Sequence, residues 1–147
     1  MGRLHAGPFV YGRCALATSP KHPPGHRYTG GCWCGKVRLA IDAEPSRVGI
    51  CHCLDCRKQY GSVFYIFAVF PDTAVTVTGE TAHYGFRHFC PVCGSSVFDK
   101  RGSEVEVNVG ALDGDNLIRP TYETWVCRRE KWLPPFPVEH RYEHDRE

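Results

Sequence analysis

Cysteines are the residues of this sequence best suited to chemistry. The chain has 147 residues and nine cysteines, and most of the cysteines lie in three tight groups: Cys32-Trp33-Cys34, Cys51-His52-Cys53-Leu54-Asp55-Cys56 and Cys90-Pro91-Val92-Cys93. Thiolates separated by one or two residues can reach the same metal ion. A glycine follows the first and third groups and allows a tight turn there. The spacing therefore predicts metal binding, and zinc readily accepts four sulfur ligands in a tetrahedral arrangement.

The three groups contain seven cysteines, and this number limits how the cysteines can be shared between metal ions. They cannot complete two four-ligand sites, but they can make one closed site and one three-cysteine site with an open position. Closed zinc sites are usually structural and open sites catalytic. Grouping by motif gives a closed site of Cys32, Cys34, Cys90 and Cys93 and an open site of Cys51, Cys53 and Cys56. The alternatives are a zinc ribbon of Cys53, Cys56, Cys90 and Cys93, or one structural zinc with spare thiols.

Charge and hydropathy exclude several classes of protein. Lys and Arg number 18 and Asp and Glu 16, a balance that argues against a dedicated nucleic-acid-binding domain. The longest apolar run, residues 63–70, is far shorter than the roughly 18 residues of a membrane span. The N-terminus shows no secretory signal, because His5, Gly7 and Pro8 interrupt the apolar stretch that such a signal needs. We therefore expect a cytoplasmic protein without a nucleic-acid or membrane partner, in which disulfides are disfavoured.

The elements that would position the cysteines are mostly strands. Apolar and polar residues alternate over 37–41, 75–78 and 104–109, and residues 62–70 form a continuous apolar run that ends at Pro71. Residues 122–127 are a last β-prone run. The best short helix candidate is residues 55–60, ended by Gly61. Short strands separated by Gly and Pro turns predict an all-β domain.

The two ends of the sequence differ in character. Residues 1–27 are rich in Gly, Pro and His and show no period, which predicts a poorly ordered N-terminal extension before a single zinc-binding domain at 28–147. Cys14 is then expected to be a free thiol. Cys127 is expected to be a buried strand cysteine, with a redox role as the alternative. His52 lies between candidate ligands, where a histidine usually points outward, with ligation or proton transfer as the alternatives.

Three spaced motifs together resemble a known family. They are Thr29-Gly30-Gly31-Cys32-Trp33-Cys34-Gly35-Lys36-Val37-Arg38, Cys51-His52-Cys53-Leu54-Asp55-Cys56-Arg57-Lys58 with Gly61-Ser62, and Phe89-Cys90-Pro91-Val92-Cys93-Gly94-Ser95. With the late Trp125, Trp132 and Leu133-Pro134, they resemble the glutathione-dependent formaldehyde-activating enzyme family, of Gfa type, over about residues 28–137.

This resemblance implies a fold, two metal sites and a reaction. The fold would be Mss4-like, with small antiparallel sheets organised around zinc and little helix. A structural zinc would bind Cys32, Cys34, Cys90 and Cys93, and a catalytic zinc would bind Cys51, Cys53 and Cys56. The family reaction is the reversible addition of glutathione to formaldehyde, which gives S-hydroxymethylglutathione.

The residue chemistry agrees with such a reaction. Thiol addition to an aldehyde needs a thiolate, and a zinc ion with an open position can bind and deprotonate a thiol. Arg57 and Lys58 follow Cys56 directly and are predicted to bind the carboxylates of glutathione. The sequence therefore predicts a carbon–sulfur lyase with two zinc ions per chain and glutathione as its partner. The alternative is a non-catalytic zinc-stabilised binding or chaperone module of Mss4-like type.

Overall fold

The computed structural model describes residues 27–114 and 118–146, and within these ranges the chain is mainly β-structure with one short α-helix. The prediction of an all-β fold is confirmed. Residues 1–26 of the predicted extension, Cys14 among them, lie outside the described ranges, so the extension and the free thiol stay predictions. The strands are β1 (Tyr28–Gly31), β2 (Arg38–Ile41), β3 (Arg47–Cys51), β4 (Tyr65–Pro71), β5 (Val75–Thr78), β6 (Ala82–Tyr84), β7 (Arg87–Phe89), β8 (Ser96–Arg101), β9 (Glu104–Asn108), β10 (Tyr122–Thr124) and β11 (His140–Arg141).

The strands form two sheets. A three-stranded antiparallel sheet has the order β1-β2-β5, and an eight-stranded sheet has the order β11-β10-β3-β4-β9-β8-β7-β6. The larger sheet is mixed, because β10 runs parallel to both β3 and β11. Its register places Cys51, the last residue of β3, between Tyr65 on β4 and Thr124 on β10.

The main hydrophobic core lies between the two sheets. The smaller sheet contributes residues such as Leu39 and Ile41, and the larger sheet contributes Phe70, Val107 and their neighbours. Cys32 and Cys90 are buried in the same core. Burial of these side chains removes apolar surface from water, at about 25 cal/mol per Å², and holds one sheet against the other.

Alternation along the strands gives the larger sheet a second face of different chemistry. A second cluster of buried residues covers part of this face and contains Cys51, Tyr65, Phe67, Val69 and Tyr122. Tyr60, on the helix α1 (Leu54–Tyr60), stacks on Tyr65 with ring centroids 3.6 Å apart. This contact holds the helix against the sheet beside Cys51.

The helix follows the sequence prediction closely. It ends at Gly61, which has φ 61° in the left-handed region and whose backbone N–H donates to the carbonyl of Arg57. With seven residues, α1 is the longest helix in the described part of the chain, and no helix there is long and apolar enough to cross a membrane.

Two predicted strands have different bounds. The run at 62–70 becomes a strand only from Tyr65 and includes Pro71. The run at 122–127 stops at Thr124, because Trp125 takes a left-handed conformation with φ 57°. A 3-10 helix follows at Val126–Arg128. The prediction of a strand through Cys127 is therefore wrong.

Candidate metal centres and the adjoining cavity

Four cysteine sulfurs lie together where the two sheets meet. The Sγ atoms of Cys32, Cys34, Cys90 and Cys93 all lie within 4.8 Å of one another. Cys32 and Cys90 are buried, whereas Cys34 is exposed. The Sγ–Sγ distance is 3.5 Å between Cys32 and Cys34 and 3.7 Å between Cys34 and Cys90. We call this group the four-cysteine cluster.

Two tight turns build the four-cysteine cluster. In the first, the N–H of Gly35 donates to the carbonyl of Cys32, and in the second, the N–H of Gly94 donates to that of Cys90. Both glycines have φ 75°, a left-handed conformation that other residues adopt only at a cost. The shared geometry explains why a glycine follows each cysteine pair.

The four-cysteine cluster connects elements that are distant in sequence. Its first pair lies in the loop between β1 and β2, in the smaller sheet, and its second pair lies between β7 and β8, in the larger sheet. The backbone N–H of Trp33 donates to Oγ of Ser95 over 3.2 Å, which adds a direct link between the two turns.

A second cluster lies on the other side of the larger sheet. The Sγ atoms of Cys51, Cys53 and Cys56 also lie within 4.8 Å of one another, and we call them the three-cysteine cluster. Cys51 ends β3 and Cys53 caps α1, where its sulfur accepts the N–H of Cys56 over 3.3 Å. The sulfur of Cys51 accepts the N–H of Cys53 over 3.5 Å. Backbone donors of this kind stabilise thiolates.

Contacts and burial within the three-cysteine cluster shift the pKa values of its thiols in opposite directions. A hydrogen bond from Cys56 lowers the pKa of Cys51, and the same contact raises the pKa of Cys56. Burial raises the pKa of Cys53. The pKa values of the three thiols are therefore set by burial and by their contacts with one another.

The sulfur geometry fits metal binding in both places. Four sulfurs placed 2.3 Å from a central zinc lie about 3.8 Å apart, close to the distances found in the four-cysteine cluster. The sulfurs of Cys53 and Cys56 join neither Cys90 nor Cys93 in these groups, so the ribbon grouping does not describe this arrangement. Two cysteine clusters in the described residues could hold metal ions, one with four sulfurs and one with three.

The three-cysteine cluster opens onto a cavity of about 860 Å³. Its floor is the second face of the larger sheet, where Phe67 contacts Tyr122 edge-on. Arginines are unusually frequent in its lining: Arg47, Arg87, Arg101, Arg128 and Arg146. The carboxyl groups there are those of Asp55, Glu106 and Asp145. A cavity of this size lies within the range of small-molecule sites.

The basic residues predicted from the sequence lie outside the lining of this cavity. Arg57 forms an ion pair with Glu130, with Nη2 2.5 Å from Oε1, and donates through Nη1 to the carbonyl of Arg128. Lys58 is exposed on α1. A role of Arg57 and Lys58 in substrate binding stays a prediction.

His52 points inward and not toward solvent. Its side chain is fully buried, and its Nε2 lies 3.7 Å from Oε2 of Glu123, which is also fully buried. Arg129 and Arg141 each approach the same carboxylate to 3.9 Å. Burial lowers the pKa of His52. The expectation of an outward-pointing histidine is wrong, and His52 belongs to neither sulfur cluster.

Cys127 also differs from its prediction. It lies in the 3-10 helix after Trp125 and is exposed, so it is not a buried strand cysteine. It belongs to neither sulfur cluster.

No local motif marks the arginines of the cavity in the sequence. Arg47, Arg87 and Arg101 lie on β3, β7 and β8, and only the register of the larger sheet brings them to one face. One indication was available in the alternation of β9, where Glu104 and Glu106 share a face opposite to the buried valines. That pattern predicts a polar face but not a cavity.

The fold and the site define a class: a small, mainly β protein with a four-cysteine and a three-cysteine cluster, the latter open to an arginine-rich cavity. The family model described as glutathione-dependent formaldehyde-activating enzyme matches residues 27–128. The chain belongs to this family, which confirms the resemblance seen in its motifs.

A solved structure is also similar to this chain. It is the crystal structure of a protein from Rhodobacter sphaeroides, a structural genomics target. The two sequences are 26% identical, and the match covers 60% of this chain and 90% of the other, with a TM-score of 0.47.

Proposed function

We propose that this protein catalyses the reversible addition of glutathione, or a closely related thiol, to formaldehyde, which gives S-hydroxymethylglutathione. In the reverse direction the reaction breaks a carbon–sulfur bond, so the enzyme is a carbon–sulfur lyase. The observation that carries the proposal is a three-cysteine cluster that opens onto a small-molecule cavity in a member of this family.

Zinc would occupy both clusters within one domain over residues 28–147. Cys32, Cys34, Cys90 and Cys93 would hold a structural ion, and Cys51, Cys53 and Cys56 a catalytic one. Zinc with three thiolate ligands and an open position supplies Lewis acidity, which lowers the pKa of a thiol bound there. The donor set supports this assignment, because thiolates bind zinc well, whereas Mg²⁺ and Ca²⁺ prefer oxygen ligands.

The chain's own residues would prepare the site for an anionic thiol. The backbone N–H groups of Cys53 and Cys56 donate to cluster sulfurs and offset part of their negative charge. The guanidinium groups of the cavity add positive charge beside the cluster, which favours binding of the thiolate form. The rings of Phe67 and Tyr122 would form an apolar floor beneath the bound thiol.

The experiment follows the exchange between free formaldehyde and its glutathione adduct. Mixtures of glutathione and ¹³C-labelled formaldehyde are held at equilibrium, and the exchange rate is measured by NMR with and without zinc-loaded protein. We expect the parent to accelerate exchange. Cys53→Ser should reduce the acceleration by at least about 100-fold, since even outer-shell partners of a metal are worth about 10–100-fold.

Cys127→Ser is the matched control, because Cys127 is exposed and lies outside both clusters. It should exchange the adduct like the parent. A zinc-loaded parent that gives no acceleration would contradict the proposal and favour the non-catalytic binding module.

A further inference from the structure

The arginines of the cavity differ in what they contact. Arg47 is bound to Glu104 by two parallel hydrogen bonds, each 2.7 Å long, so its guanidinium is already used within the fold. The guanidinium of Arg146 lies over the ring of Tyr122, at 5.3 Å from its centroid. Arg87 and Arg101, on the neighbouring strands β7 and β8, have no such carboxylate partner and lie over a ring, as Arg146 does.

Arg87 and Arg101 share one aromatic support. The Cζ atom of Arg101 lies 3.6 Å from the ring centroid of Phe86, and that of Arg87 lies 5.0 Å from the same centroid. A guanidinium group stacked on a ring keeps its N–H donors in its own plane, where they remain able to bind an anion. Phe86 therefore orients two cations at the edge of the cavity.

Two of the neighbouring carboxylates have other hydrogen-bond partners, although Asp99 still attracts both arginines electrostatically and Glu106 attracts Arg101. Glu104 lies opposite Arg101 in the register of β8 and β9, but it is bound by Arg47. Asp99 lies opposite Arg87 in the register of β7 and β8, but it accepts the hydroxyl of Tyr60 over 3.2 Å. Among the described residues, the side chains of Arg87 and Arg101 make no hydrogen bond and no close ion pair.

One donor of this pair is also withheld from solvent. The Nε atom of Arg87 is buried and has no hydrogen-bond partner among the described residues. A buried charged donor without an acceptor is costly. Because Nε is closed to solvent, an anion in the cavity would act on it through the charge of the whole guanidinium group and not by a hydrogen bond to Nε. The three cysteines line the same cavity, so a ligand that spans it can contact the arginine pair and the sulfur cluster together.

We propose that Arg87 and Arg101, held against Phe86, form a carboxylate-binding subsite for the thiol substrate whose sulfur lies at the three-cysteine cluster. The inference rests on the proposed function and adds a specificity determinant to it. The substrate class is a thiol that carries a carboxylate at some distance from its sulfur, as a peptide thiol does. A thiol without such a carboxylate would lack this contact.

The test compares two ligands that share the thiol and differ at their two carboxyl groups, which are ionised in one and esterified in the other. Glutathione and its diethyl ester are titrated calorimetrically into zinc-loaded parent, Arg101→Gln, Arg87→Gln and the double variant. We expect each single change to weaken glutathione binding by about 10- to 100-fold, the range of charge-assisted hydrogen bonds. Binding of the diester should be the same in all four proteins.

Lys100→Gln is the matched control. Lys100 precedes Arg101 on β8, carries the same charge and does not line the cavity, so its loss should leave glutathione binding unchanged. Arg101→Lys keeps the charge but loses the planar donor pair, and it should bind glutathione less tightly than the parent. If Arg101→Gln does not fold, the titrations of Arg101→Lys with glutathione and its diester are compared with those of the parent instead.

The outcomes separate this inference from the proposed function. A parent that binds neither ligand contradicts both. A parent that binds glutathione, with variants that bind it equally well, overturns only the carboxylate subsite. Equal weakening for glutathione and its diester also overturns it, since the arginines would then act on the sulfur cluster or on the fold and not on the carboxylate.

Discussion

Glu106 shows how its surroundings set the charge of a single side chain in the cavity. It lies on β9 and lines the cavity that contains the three-cysteine cluster. Burial, aided by the negative charges of Asp99 and Cys51, raises its pKa to about 7, although Arg101 and Arg47 act in the opposite direction. In an unfolded chain a glutamate has a pKa of about 4.3. The folded protein therefore binds a proton at Glu106 that the unfolded chain has already lost.

This difference predicts a pH-dependent stability. Between about pH 4.5 and 7 the native state binds more protons than the unfolded state, so the contribution of Glu106 to stability decreases as pH rises. Its slope is at most about 1.4 kcal/mol per pH unit. Glu106→Gln should remove this contribution and should be no less stable than the parent above pH 7. Urea unfolding at pH 5, 6, 7 and 8 measures the effect.

Glu104→Gln provides a control of opposite sign on the same strand. A hydrogen bond from Arg47 lowers the pKa of Glu104, so its contribution is present at neutral pH and is lost as pH falls through the folded-state pKa. Glu104→Gln should therefore lose stability at neutral pH. If Glu106→Gln keeps the parent's pH profile, the carboxyl group does not hold its proton in the folded state.

Trp125 determines where β10 ends and a turn begins. Its φ of 57° breaks β10 after Thr124. The backbone around it is held from the C-terminal segment, since the N–H of Trp125 donates to the carbonyl of His144 over 2.9 Å and that of Val126 to Tyr142 over 3.1 Å. The ring of Trp125 also lines the cavity. A strained backbone at this position turns the chain along the rim of the site.

At position 125 the glycine variant should be more stable than the alanine variant, which reverses their usual order of stability in helices and strands. The left-handed conformation costs a non-glycine residue about 1–2 kcal/mol, whereas glycine adopts it freely. Both Trp125→Gly and Trp125→Ala lose the ring contact with His144, so they differ mainly in backbone cost. We expect the glycine variant to be more stable than the alanine variant by about 1 kcal/mol in urea unfolding. An alanine variant of equal or greater stability would contradict this account.

Elements with a local mark in the sequence could be predicted, and elements held by distant residues could not. The strand at Arg38–Ile41 and the end of α1 at Gly61 are marked locally, by alternation and by a glycine. The turn at Trp125 has no such mark, because the hydrogen bonds that hold it come from residues almost twenty positions later. Arg87 and Arg101 likewise become neighbours of the cysteines only through strand register. Local patterns predict elements, whereas sites assembled across strands require the fold.

The two cysteine clusters have different places in the architecture. The four-cysteine cluster joins the smaller sheet to the larger one, and Cys34 and Cys90 are far apart in the sequence. A metal ion there would close a long loop and hold the two sides of the core together. The three-cysteine cluster spans only residues 51–56, at the end of β3 and the start of α1. We therefore expect its loss to leave both sheets and the core between them in place.

Stepwise removal of metal tests this division. As a chelator is titrated into zinc-loaded protein, we expect one ion to leave before the other, because the three-cysteine site has no fourth protein ligand. The first loss should leave the β-sheet circular dichroism unchanged. The second should unfold the protein, since structural zinc contributes on the order of 10 kcal/mol in small zinc-binding peptides. Elemental analysis and circular dichroism on the same samples follow both steps.

Two serine variants assign the steps to their clusters. Cys53→Ser should start with one zinc ion, keep the parent's β-sheet spectrum and show only the second step, because serine is not deprotonated at neutral pH and is a poor zinc ligand. Cys90→Ser changes a fully buried sulfur at the junction of the sheets and should lose most of the folded spectrum at any zinc concentration. Loss of both ions from the parent in one step, together with unfolding, would show that the two clusters do not act separately. A Cys90→Ser protein that melts like the parent would show that the core alone holds the sheets together, and the four-cysteine cluster would then have no structural role.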